Sequence, residues 1–83
     1  MNIEKQIKDV LTPEVEKLGV TIDTVKLEKE GNNLFLRIII DSDKIIDVDK
    51  CVEVTNTVNP ILDDMDFIEE SYILDISTKE KGR

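Results

Sequence analysis

Apolar side chains along this chain follow first a helical period, then an alternating one, then a helical one again. Ile3, Ile7, Val10, Leu11, Val15 and Leu18 recur at spacings of three and four, which predicts a helix from about residue 2 to 18 with these residues on one face. Gly19 stands where a helix stop is expected. Pro13 interrupts the pattern, and Thr12-Pro13-Glu14 also reads as a cap and first turn, so the expectation is a kink or two short helices end to end. From Val20 to Glu30, Val20 and Ile22 fall on one alternation and Val25 and Leu27 on the other, which predicts a bulge near Asp23 and Thr24. EGNN then makes a turn into LFLRIIID, where Leu34, Leu36, Ile38 and Ile40 share one face and Phe35, Arg37 and Ile39 the other. The two strands form a hairpin.

After DSDK, Asp47 is placed to cap a second helix with a core stripe of Val48, Cys51, Val52, Thr55, Val58 and Leu62. Pro60 should distort its last turn. A loop, DDMDF, returns the chain to a closing strand at residues 71 to 77, in which Tyr72, Leu74 and Ile76 share one face. The fold class is therefore α+β, in the order helix-strand-strand-helix-strand, with two helices packed on one face of a three-stranded sheet. Its expected core is Ile7, Leu11, Leu18, Leu36, Ile38, Val52, Val58, Leu74 and Ile76. A crossover through the second helix leaves two strand orders open, with the last strand beside either the first or the second. The domain is read as residues 1–77, followed by a mobile polar tail at 78–83.

Composition narrows the function. At 83 residues there is room for one domain, and 40% apolar content supports a globular one. The chain has one cysteine, Cys51, and no histidine, so neither an internal disulfide nor a thiol–imidazole pair nor a Cys/His zinc cluster is available. Ser42, Ser71 and Ser77 have no imidazole base, and Gly19, Gly31 and Gly82 are too dispersed to cradle a phosphate. Cys51 reads as a small core residue. No apolar run is long enough for a membrane span, and MNIEKQIKDV lacks the apolar core of a signal peptide, so a cytoplasmic protein is expected.

Net charge is −8, and the imbalance is local. Ten carboxylates between residues 41 and 70 face two lysines, while the rest of the chain is balanced. Such a segment repels phosphate backbones and favours a basic protein partner. The candidate partner-binding residues are Asp41, Asp43, Asp63, Asp64, Asp66, Glu69 and Glu70. Asp63, Asp64 and Asp66 are read as following the carboxyl end of the second helix, where the dipole disfavours negative charge; folding does not ask for them. The plainer reading is a solvated acidic loop. Asp41, Asp43, Asp47 and Asp49 suggest a calcium loop, but Ile45 stands where the third oxygen ligand is needed and Ile46 where the glycine is needed, and the distal glutamate is missing, so no metal is assigned. Arg37, within an apolar strand, reads as an edge charge guarding against aggregation.

Five segments in order resemble the amino-terminal domain of the bacterial ribosome maturation factor RimP family. TPEVEKLGV is similar to that family's first helix with its internal proline and Leu-Gly end. TVKLE resembles its "VDVEL" strand, LRIIID its "LRVYID" strand, DVDKC the "T-L-D-D-C" opening of its second helix, and YILDIS its "Y-x-L-E-V-S" closing strand. The resemblance spans nearly the whole chain and implies a cytoplasmic assembly factor. Such a factor would bind the free small ribosomal subunit late in its maturation through a basic ribosomal protein of the decoding region, with no catalytic residues and no cofactor. In the family the closing strand leads through Ser-Ser-Pro-Gly-Leu-Asp-Arg-Pro into a small β-barrel domain, whereas here STKEKGR follows. The resemblance therefore implies one domain of two.

The leading expectation is a monomeric binding module of ribosome assembly, with direct nucleic-acid contact disfavoured in the absence of the protein partner. A KH-like RNA-binding domain is the alternative, since helices on a small sheet suit it, although no Gly-x-x-Gly loop is present. An enzyme using carboxylates alone for acid–base work ranks third.

Overall fold

The computed structural model describes residues 2–66 and 68–79. Asn2 opens helix α1 (Ile3–Glu16), its side-chain oxygen accepting the Glu4 N–H at 2.9 Å. α1 passes through Pro13 as one continuous helix, so the two short helices expected from Thr12-Pro13-Glu14 do not form. Ile7, Leu11 and Val15 are fully buried on its inner face. The helix ends on a Schellman pair: the Gly19 N–H donates to Glu16 O at 3.0 Å and the Val20 N–H to Val15 O at 3.4 Å. That closure requires a left-handed residue, and Gly19 supplies it at φ 86°.

Strand β1 (Thr21–Glu30) pairs antiparallel with β2 (Asn33–Asp41) through the turn at Gly31 and Asn32. The register slips between Ile22 and Thr24, where the two alternations of the sequence meet. Leu34, Leu36, Ile38 and Ile40 all turn into the core. Helix α2 (Val48–Met65) is capped by Asp47, whose carboxylate accepts the Lys50 N–H at 2.8 Å. Strand β3 (Ile73–Thr78) then pairs parallel with β2, Leu36 opposite Leu74 and Ile38 opposite Ile76. The sheet order β1-β2-β3 settles which of the two arrangements forms. Both helices cover one face, α1 over β1 and against α2, and α2 on the β3 side.

Three expectations need correction. α2 does not bury Val48 and Val52: they are 77% and 51% exposed, while Val54, Val58 and Leu62 fill the core. At about 100° per residue, Val52 lies roughly 120° around the helix from Val58, whereas Val54 and Leu62 lie within about 40° of it. α2 runs past Leu62 to Met65 with Pro60 inside it, so Asp63 and Asp64 belong to its final turn and not to the expected loop DDMDF. Pro60 removes one bond to the Asn56 carbonyl on an exposed stretch, and the buried side chains on both sides hold the helix together. The closing strand also runs one residue further than the expected 71–77. Thr78 belongs to β3, and the Lys79 N–H donates to Ile40 O at 2.7 Å. The rest of the expected mobile tail lies outside the described residues.

Candidate functional site

The seven candidate carboxylates separate into two groups at opposite ends of the sheet. Asp41 ends β2 and Asp43 follows it, at the end of the sheet where Thr78 closes β3. Here Asp41 has a structural role: its carboxylate accepts the Ser42 N–H at 2.8 Å, and the Ser42 hydroxyl donates to Gly19 O at 3.0 Å. Those bonds fix the exit from β2 beside the end of α1. Asp43 is exposed.

Asp63, Asp64, Asp66, Glu69 and Glu70 gather at the other end. Asp66 caps α2 in the left-handed region at φ 52°, its N–H donating to Leu62 O at 3.0 Å. Aspartate adopts that conformation more readily than most residues. The turn it makes sends the chain back to β3, with Ile68 and Tyr72 packed against the core as anchors. All five carboxylates are exposed around the negative end of the α2 dipole. Among the described residues, the cation that reaches this group is Lys29, 4.0 Å from Glu70 and largely solvated. An open cavity of about 520 Å³ lies between the end of α2 and the start of β3, walled by Asp63, Glu69 and Glu70 and floored by Tyr72 and Leu74. Burial first, and then the nearby charges of Asp63 and Asp66, raise the Tyr72 phenol above its ordinary 10.0.

Arg37 lies on β2, the central strand, and so is not the edge charge expected of it. It stands in the middle of the open sheet face, 3.3 Å from Glu30, 3.8 Å from Asp75 and 3.9 Å from Glu28, with its guanidinium 4.9 Å over the Phe35 ring. Arg37 thus stands in an ion-pair network with carboxylates on both flanking strands. Sequence reasoning also missed that Val48 and Val52 stand exposed at the start of α2. A helical projection centred on Val58 instead of Val52 would have found these two.

Among the described residues no three of His, Cys, Asp or Glu are grouped to hold a metal ion, and no helix is long and apolar enough to cross a membrane. Fold and surface together define a two-layer α-β-β-α-β domain with a concentrated acidic end. The model of the RimP N-terminal domain family matches residues 10–79, and the chain belongs to that family, a family of ribosome maturation factors. The solved structures it resembles include MamM CTD in a manganese form, at 18% identity and a TM-score of 0.54 over 93% of this chain and 98% of that one. A cadmium form of MamM CTD matches at 18% identity with a TM-score of 0.52, over 94% and 96%. At that identity the likeness is one of fold.

Proposed function

We propose that this chain is the docking module of a cytoplasmic ribosome maturation factor, and that it binds the free small ribosomal subunit through a basic ribosomal protein. The observation that carries this reading is the convergence of Asp63, Asp64, Asp66, Glu69 and Glu70 at the end of α2, exposed and, among the described residues, met by the cation of Lys29 alone, in a chain of the RimP N-terminal domain family. Those charges weaken the helix end that holds them, so a use in recognition accounts for them better than folding does. They steer a basic partner and set its orientation.

The domain acts by binding, as a monomer, without a cofactor and without catalysis. Asp43 extends the acidic surface at the far end of the sheet and makes a secondary contact, while Asp41 acts by shaping the loop that holds Asp43. Direct RNA binding is disfavoured because the open sheet face carries Glu28, Glu30 and Asp75 around Arg37. Sedimentation of the purified chain with free small subunits at low salt tests the reading. Co-sedimentation that weakens as salt rises supports it; a chain that stays in the supernatant at low salt refutes it. Binding to protein-free ribosomal RNA of equal strength would favour the KH-like alternative.

A further inference from the structure

The two edges of the sheet are treated differently. On β1 the outward N–H of Leu27 donates to the Glu4 carboxylate at 2.6 Å, the Lys8 ammonium reaches Asp23 O at 3.3 Å, and the register slip after Ile22 bends the strand. α1 and the bulge thus close that edge against further pairing. On β3 nothing comparable is present among the described residues.

The direction of the β3 backbone groups follows from the register. β3 runs parallel to β2, and the Lys79 N–H donates to Ile40 O, so Asp75 and Ser77, at the same phase, also point their backbone groups at β2. Leu74, Ile76 and Thr78 therefore point theirs outward. Among the described residues none of these outward groups has a hydrogen-bonding partner. The strand has no proline, no lysine and no bulge, and Ile73 on its open-face side is 47% exposed. An unguarded row of donors and acceptors is a template for one more strand.

We infer that the outer edge of β3 receives an extended segment of a basic protein, which pairs with Leu74, Ile76 and Thr78 as an added strand. This inference rests on the proposed function and states how the acidic end is used. Charge selects the occupant: the edge begins beside the cavity walled by Asp63, Glu69 and Glu70, and Asp75 flanks it on the open face. A lysine or arginine from the added strand enters that cavity over Tyr72. A second copy of this chain would bring the same carboxylates and another net charge of −8 to the contact.

Backbone amide exchange of the chain, alone and with free small subunits, is the test. Binding should slow the Leu74, Ile76 and Thr78 amides by roughly tenfold or more, while Asp75 and Ser77, already paired, change little. Thr78→Pro removes one outward donor at an exposed position; it should weaken binding roughly fivefold and leave melting nearly unchanged. Should that variant fail to fold, exchange in the unaltered chain decides alone. Subunit binding without protection of these amides overturns the added strand and leaves the docking function standing; absence of binding overturns both. Protection that grows with chain concentration in the absence of subunits overturns the inference in favour of self-pairing.

Discussion

The Glu4 carboxylate accepts the Leu27 N–H at 2.6 Å, so a side chain of α1 satisfies a backbone donor on the outer edge of β1. The bond ties the first helix to the sheet across 23 residues of sequence. Hydrogen bonds to a charged acceptor contribute about 1.5 to 3 kcal/mol, and a domain of this size loses roughly 4 to 8 °C of Tm per kcal/mol. Glu4→Ala should therefore lower Tm by about 6 °C or more in a thermal melt, and Glu4→Gln, which keeps an acceptor, by less. An alanine variant that melts with the parent would show that the tie contributes nothing.

Burial separates two aliphatic residues that the sequence had placed together in the core. Ile38 is fully buried in the central strand, and its truncation to alanine should destabilise by about 2 to 5 kcal/mol. Val52, half exposed on α2, should lose less than about 1 kcal/mol on the same truncation. Chemical denaturation of both variants checks the helix phase. Comparable losses would return Val52 to the core.

Why one phase was legible and the other was not has a physical basis. In β2 every second residue from Leu34 to Ile40 is a large aliphatic and the strand has two faces, so either choice of face keeps the same four residues together. The β1 bulge was legible for a related reason, because Ile22 and Val25 cannot share a face without an extra residue between them. α2 offered valines at 48, 52, 54 and 58, and a helix has no fixed pair of faces; the stripe through Val54 was as well spaced as the one chosen. The clustering of Asp63 with Glu69 and Glu70 depended on where α2 ends, which reading DDMDF as a loop placed too early. Strand order depended on packing that the local pattern does not encode.

Tyr72 is the only tyrosine in a chain without tryptophan, so tyrosinate absorbance reports it alone. Burial and the charges of Asp63 and Asp66 hold its pKa above 10.0. A raised phenol pKa in the folded state favours the protonated form, so this contribution to stability is present below the unfolded value near 10.0 and is lost as pH rises through the folded value. Neutralising Asp63 and Asp66 to asparagine should move the titration midpoint back toward 10.0 without reaching it, because burial remains. No movement would mean that the carboxylates do not act on this pocket.

The proposed function makes the acidic end of α2 the surface that the small subunit's basic protein meets. Its most direct test is the salt dependence of binding between free small subunits and the chain, compared with a variant carrying Asp63→Asn, Asp64→Asn and Asp66→Asn. The triple variant should fold as stably as the parent or slightly better, since the charges sit at the negative helix end. It should bind at least about tenfold more weakly at low salt, mostly through slower association, and its affinity should fall less steeply as salt rises. Equal affinity and an equal salt slope for variant and parent would contradict the account and leave the acidic end as solvated surface.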